Sequence, residues 1–205
     1  STPAALALAI PVSPTGRGAC ATSRTAPEAL KGAKTMTTEP RIYVADLAAY
    51  NSGYFHGVWI DATLDASDIQ DQINAMLAQS PVGDAEEYEI HDYEGFDGYS
   101  LGEYAGIDAA HEAACFIEEF PAFGGALLDQ FSSVEEARKA AEEDYCGSYE
   151  SLADYVQELT EEATEIPEVL RYYIDYEAMA RDMELNGDVF IIEEGYKTVH
   201  IFWNR

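Results

Sequence analysis

From Ile42 to Ala137 the chain runs for 96 residues with twenty carboxylates and not one Lys or Arg. Few features constrain a fold more, because like charges at helical i,i+4 spacing each cost roughly 0.2–0.5 kcal/mol and no cation within the run offsets them. A disordered acidic tract would lack aromatic side chains, and an ordinary surface would intersperse both signs of charge. The stretch EEYEIHDYEGFDGYSLGEY, Glu86 to Tyr104, does neither: it holds seven acids, five aromatics and no Lys or Arg. The missing cations belong to the whole body of the chain. From Met36 onward 38 acids face 7 bases, and Glu142 to Glu168 adds ten acids with no base.

The chain can nevertheless fold. Of its 205 residues 47% are hydrophobic and 12% aromatic, enough for one ordinary domain or for two or three small modules. Its formal charge of −28 opposes direct binding to DNA or RNA, since phosphate contacts need Lys and Arg. Anionic membrane surfaces are disfavoured for the same reason. No apolar run approaches the ~18 residues of a membrane span. Cys20, Cys115 and Cys146 are odd in number and lack C-x-x-C spacing, which fits neither a disulfide framework nor a zinc site and agrees with a reducing compartment.

Residues 1–38 stand apart in composition. They carry Arg17, Arg24, Lys31 and Lys34, and are rich in Ala, Thr, Ser, Pro and Gly. AALALAIPV lacks the basic region that precedes a secretory signal. The segment is expected to be a disordered leader, its residues 1–35 upstream of a natural start at Met36; an acid-poor targeting peptide is the alternative.

The remainder reads as α+β. RIYVADL alternates as a strand, and GYFHGVWIDA is its expected hairpin partner after the turn YNSG. LDASDIQDQINAMLAQ has helical period, with Ile69, Ile73, Met76 and Leu77 on one face and Asp61, Asp65, Asp68 and Asp71 opposite. EEYEIHDY is a third strand. IDAAHEAACFIEEF, PAFGGALLDQF and SSVEEARKAAEEDY follow as helices, the last opened by a capping-box signal from Ser133 to Glu136. SYESLADYVQELTEEA is another helix. IPEVLRYYIDYEAMARDMELNG is expected as one more, from Pro167 to Gly187, and DVFIIEEGYKTVHIFW as a closing hairpin. This order predicts three small modules: an N-terminal α+β module (39–98), a helical middle module (99–145) and a C-terminal α+β module (146–205).

Catalytic motifs are scarce. HEAAC, His111 to Cys115, lacks the second histidine of H-E-x-x-H. DYEGFDG has the wrong register for a calcium loop, and no G-x-G-x-x-G, P-loop or G-x-S-x-G occurs. No cofactor or metal is therefore expected. His91 reads as an ordinary histidine beside carboxylates, and Tyr172, Tyr173 and Tyr176 as core or interface. A carboxylate pair doing acid–base chemistry can hide among 39 acids. An acidic scaffold or a salt-adapted protein is the other alternative, although the basic leader and the large apolar side chains argue against salt adaptation.

The carboxylates are the remaining signal, as folded substitutes for phosphates. Duplex DNA carries one negative charge per about 1.7 Å of axis, so a body of formal charge −31 holds that of roughly 50 Å of duplex. The candidates for partner binding are Asp61, Asp65, Asp68 and Asp71; Glu86, Glu87, Asp92, Glu94, Asp97 and Glu103; Asp108, Glu112, Glu118, Glu119 and Asp129; Glu135, Glu136, Glu142 and Glu143; and Asp154, Glu158, Glu161 and Glu162. In LRYYIDY, Leu170, Tyr173 and Ile174 are the candidates for a contact between two copies, because clustered apolar side chains would leave a patch if exposed.

Four motifs, YVADLAAYNSGYFHGVWIDA, EEYEIHDYEGF, LLDQFSSVEEA and IPEVLRYYIDYEAMARDMELNGDVF, in that order and spacing, closely resemble the ArdA family of antirestriction proteins over about Arg41 to Trp203. The resemblance implies a curved, elongated dimer of three-module subunits that mimics bent B-form DNA. It implies a partner, the methyltransferase core and specificity subunit of a type I restriction–modification enzyme, whose cleavage and often methylation it blocks. It also implies carriage on mobile genetic elements and action in the bacterial cytoplasm. The charge argument reaches DNA mimicry alone; only the resemblance supplies the type I enzyme.

Overall fold

Alternation in RIYVAD does produce a strand, β1 (Arg41–Asp46), whose inward residues Ile42 and Val44 are fully buried. The computed structural model describes residues 39–102, 105–131 and 133–205. Expectations for residues 1–38 and for Glu103 lie outside the described residues.

A short helix, α1 (Leu47–Asn51), leads into the expected turn at YNSG, where the Gly53 amide donates to the Tyr50 carbonyl at 3.0 Å. Asp46 starts the helix by accepting the Ala49 amide at 3.0 Å, a carboxylate N-cap. Gly53, at φ +84°, turns the chain back, and the hairpin partner shortens to β2 (Gly57–Asp61). Helix α2 (Ala66–Leu77) buries Ile69, Ile73 and Met76, while Leu77 is half-buried. β3 (Tyr88–Glu94) pairs with the other edge of β1, so the antiparallel order is β2-β1-β3. A bulge between Tyr43 and Val44 aligns Tyr43 with Asp92 and Val44 with Ile90, leaving His91 as the extra residue.

Three helices follow: α3 (Ile107–Glu119), α4 (Gly124–Gln130) and α5 (Val134–Lys139). The Ser133 hydroxyl accepts the Glu136 amide at 3.2 Å, as its capping signal indicates. Beyond Lys139 the sequence expectation needs correction. The chain makes one π-helical turn, Ala140–Asp144, then a strand β4 (Tyr145–Tyr149) where the end of one helix and the start of the next were expected. Tyr145 and Cys146 are buried there, which a strand against β6 achieves. α6 (Leu152–Ala163) forms as expected, capped by Ser151.

The long helix expected from Pro167 to Gly187 is interrupted. A 3₁₀ turn at Arg171–Tyr173 gives way to extended backbone at Ile174, and α7 (Tyr176–Leu185) begins only after Asp175. The Asp175 carboxylate accepts the Ala178 amide at 2.9 Å. A capping aspartate after a β-branched residue and two tyrosines, all mediocre helix formers, favours a new start over continuation. β5 (Val189–Gly195) and β6 (Thr198–Trp203) close the chain as the expected hairpin, in a sheet ordered β4-β6-β5.

Two apolar clusters result. The larger joins the first sheet and α2 to α3–α5 and extends to Tyr145 and Phe202; the smaller holds Leu152, Tyr155, Val156, Ala180, Val189 and Ile201. Phe123, between α3 and α4, packs on Tyr145, His200 and Phe202 with ring centroids 5.3, 5.0 and 5.2 Å away. Burial of such a ring stabilises by roughly 1.5–3 kcal/mol, so this aromatic nest anchors the middle helices to the second sheet. His200 is fully buried inside it, its Nδ1 3.0 Å from the Tyr145 hydroxyl and its Nε2 3.1 Å from Glu194. A carboxylate only accepts, so Nε2–H donates to Glu194, and in the neutral ring Nδ1 accepts from the Tyr145 hydroxyl. Burial, then the Glu194 charge, pushes the Tyr145 phenol upward.

A candidate carboxylate surface

The elements that bury apolar residues on one face set carboxylates on the other. On α2, Asp68 and Asp71 lie opposite Ile69, Ile73 and Met76, and Asp65 sits at the N-cap without a side-chain capping bond. Asp61 is not part of that helix, contrary to the sequence expectation. It ends β2 and accepts from the Thr63 amide (2.9 Å) and hydroxyl (2.7 Å), so it also shapes the turn into α2. On α3, Asp108, Glu112, Glu118 and Glu119 flank a buried stripe of Ala110, Ala113, Ala114, Phe116 and Ile117. Asp129 ends α4; Glu135 and Glu136 open α5; Glu142 and Glu143 occupy the π-helical turn. On α6, Asp154, Glu158, Glu161 and Glu162 oppose Leu152, Tyr155 and Val156.

Of the described candidates all are exposed except Glu94, Glu119 and Glu158, which are half-buried. Glu86 and Glu87 precede β3, Asp92 and Glu94 belong to it, and Asp97 follows in a loop with a left-handed backbone, φ +48°. Although the residue is exposed, partial desolvation of its carboxyl raises Asp97 above its ordinary range. Three candidates are bound to cations of the chain itself: Glu94 to Arg41, and Glu119 (2.6 Å) and Glu142 (3.9 Å) to Arg138. These give up part of their charge to internal pairs. Glu161 accepts from Gln157 at 3.1 Å, and Asp154 from the Ser151 hydroxyl at 2.6 Å, so both are oriented rather than neutralised.

Not every acid faces outward. Asp46 is fully buried at the N-cap of α1. Burial pushes its carboxyl upward, but the Ser80 hydroxyl, the Ala49 and Ala48 amides and His56 together bring it below its ordinary range. Asp144 is raised by burial against the opposing pull of Arg205, 3.4 Å away.

The chemical motifs resolve into packing. His111 Nδ1 lies 2.9 Å from the Ala62 carbonyl and 3.7 Å from Cys115 Sγ. Burial, and then Glu118, Asp61 and Asp65, push the Cys115 thiol upward, away from the thiolate form. His91 stacks edge-on against Tyr50 at 4.7 Å, with Glu89 3.8 Å away. Among the described residues no group of three His, Cys, Asp or Glu side chains converges as metal ligands would.

Glu89 is one of the exposed acids that sequence reasoning passed over. It is exposed and aligns with Ala45 of β1, as Asp92 aligns with Tyr43 and Glu94 with Arg41. Strict alternation from Asp92 assigns Glu89 to the opposite face, but the bulge at His91 returns it to the same one. No sequence signal marks that bulge. The proposed copy–copy contact is also visible as a surface: Leu170 is exposed, Tyr172 and Tyr173 are 89% and 84% exposed, and Ile174 is half-buried. Tyr176 turns inward against the smaller core.

Comparison with curated proteins returns no match. A family model described as antirestriction protein (ArdA) matches residues 42–198. That interval takes in every helix of the described structure and the strands β1 to β5 apart from Arg41, and it stops at the first residue of β6. The chain therefore belongs to the ArdA family of antirestriction proteins.

Proposed function

We propose that this antirestriction protein is a folded mimic of B-form DNA that occupies the DNA-binding groove of a type I restriction–modification enzyme, inhibiting restriction and modification in the bacterial cytoplasm. One observation carries the reading: exposed carboxylates recur along successive regular elements across 96 residues that contain no Lys or Arg. A groove that binds phosphates supplies the cations this surface lacks. The subunit is a chain of three small modules, paired into a homodimer through the exposed segment around Leu170, Tyr173 and Ile174. An apolar patch of that kind marks an interface on an otherwise charged surface.

The charge density of the surface predicts how it binds. Residues three apart on a helix are about 4.5 Å apart along its axis, whereas duplex DNA has a charge every 1.7 Å or so. The sparser array condenses fewer counterions, and a rigid mimic avoids the bending that costs DNA on the order of 1–6 kcal/mol. Added salt therefore weakens this complex less than it weakens the same enzyme's binding to DNA.

The test is competitive titration of a type I methyltransferase core with labelled DNA and this protein at several salt concentrations. Stoichiometric displacement of DNA with a shallower salt slope is the expected result. A ternary complex retaining DNA in its groove refutes the mimicry. If one Asp or Glu substitution abolished activity outright, an enzymatic carboxylate pair would replace it, because a mimic loses affinity gradually.

A further inference from the structure

The first sheet buries one face and leaves the other open. Ile42, Val44 and Ile60 enter the larger core, so Arg41, Tyr43, Trp59 and Asp61 project to the opposite side. Register sets Arg41 between Asp61 and Glu94, and Tyr43 between Trp59 and Asp92. Two cross-strand rows result, one of carboxylates about a cation and one of aromatic rings ending on a carboxylate. The Tyr43 and Trp59 ring centroids lie 5.5 Å apart. Gly57 makes room for this arrangement, since a Cβ there would meet the Tyr43 ring at 2.7 Å and the Val44 carbonyl at 2.6 Å. Trp59 is 38% exposed in a region otherwise dominated by acids.

The guanidinium already on this face shows what it accepts. Arg41 lies over the Trp59 ring, 5.1 Å from its centroid, and is ion-paired through Nε to Glu94. The Arg41 and Glu94 side chains remain 49% and 38% exposed, so the seat is open to solvent. A guanidinium can stack on the ring while its N–H donors meet the carboxylate; a compact, strongly hydrated ammonium fits this combination less well.

We infer that the open face of the first sheet is a receptor for arginine side chains of a partner protein, and that Arg41 is a resident occupant which an incoming guanidinium displaces. The identity of that partner, a basic DNA-binding groove, rests on the DNA-mimic reading. The receptor face adds something the carboxylate rows lack. Stacking on Trp59 is short-ranged and is not weakened by salt as separated charges are, and it distinguishes arginine from lysine.

The probes are oligoarginine and length-matched oligolysine peptides, titrated calorimetrically against the full chain and its Trp59→Ala, Trp59→Phe and Arg41→Gln variants. Circular dichroism and melting check that each variant folds. The wild type should bind oligoarginine about fivefold more tightly than oligolysine, the equivalent of one partly desolvated cation–π contact. Trp59→Ala should abolish that preference and Trp59→Phe should retain most of it. Arg41→Gln should strengthen oligoarginine binding more than oligolysine binding, which separates vacancy of the seat from the change in net charge. Equal affinity for the two peptides, or a preference that survives Trp59→Ala, overturns the inference. With a type I methyltransferase core, Trp59→Ala should weaken binding by a similar factor at low and high salt. A Trp59-dependent arginine preference in a protein that never displaces DNA leaves the receptor face standing and removes the mimic reading.

Discussion

Neutralising Asp65, Asp68 and Asp71 together to asparagine separates binding from folding more cleanly than any single change. All three are exposed, none has a described ion pair, and asparagine is nearly isosteric. Asp61 is left intact because its carboxylate holds the Thr63 amide and hydroxyl. Removing two like-charge i,i+3 pairs relieves about 0.2–0.5 kcal/mol each. Against that, Asp65 and Asp68 at the N-terminal turn of α2 lose a favourable dipole interaction of about 0.3–1 kcal/mol apiece at low salt. These nearly cancel, so stability should stay within about 1 kcal/mol of wild type. Binding has no such compensation. If each aspartate meets a partner cation at a partly exposed interface, the loss is about 0.2–1 kcal/mol per charge, or roughly 3- to 150-fold for three. Urea unfolding gives the stability, and competition against labelled DNA on a type I methyltransferase core gives the affinity and its salt slope. The slope should fall together with the affinity. A variant that binds as tightly as wild type with an unchanged slope would show that α2 does not face the partner. One that unfolds several kcal/mol more easily would show that these carboxylates serve the fold.

Other outcomes follow from packing and titration. Gly125→Ala places a Cβ 2.5 Å from the Asp97 carbonyl and 2.7 Å from that of Phe96, so it should lower stability by about 1–3 kcal/mol in urea unfolding; an unchanged midpoint refutes the close approach of α4 to that loop. Tyr145→Phe strands His200 Nδ1 in the core and should cost about 1–3 kcal/mol by the same measurement. Asp46→Ala removes the α1 cap and should cost about 0.5–2 kcal/mol at neutral pH. Because the folded carboxyl lies below its ordinary range, that stabilisation is present above the unfolded pKa and lost as pH falls through the folded one. The gap between Asp46→Ala and wild type should therefore close on acidification, and a gap independent of pH would show that the charge is irrelevant. Tyr173→Glu, at an 84% exposed position, should convert the proposed dimer to a folded monomer in sedimentation; a variant that stays dimeric places the contact elsewhere.

The sequence alone determined the elements whose signals are local. Period-two alternation placed β1, β3 and the final hairpin; period 3.6 placed α2 and α6; Ser133 announced the start of α5 through a bond it does make. The acidic character of the surface was equally legible, because 96 residues without Lys or Arg offer their acids no such cation within that run. Where local signals compete, tertiary packing decided. The segment from Pro167 reads as one helix until Asp175 caps a second start, which leaves Tyr172 and Tyr173 exposed and so outside the core. Tyr145–Tyr149 reads as the end of one helix and the approach to another, but β6 supplies backbone partners that make it a strand. Asp46 and Glu194 look like any other acids in the sequence, yet one caps a helix from inside the core and the other receives a bond from a buried histidine. On the open sheet face, alternation predicts that Arg41 and Tyr43 share a side, but not that Trp59, Glu94 and Asp92 stand across from them. That depends on cross-strand register and on one unmarked bulge at His91, which only the packing of Ile90 and Tyr93 against the core selects, because an extra residue in a strand is set by the neighbours it must bury.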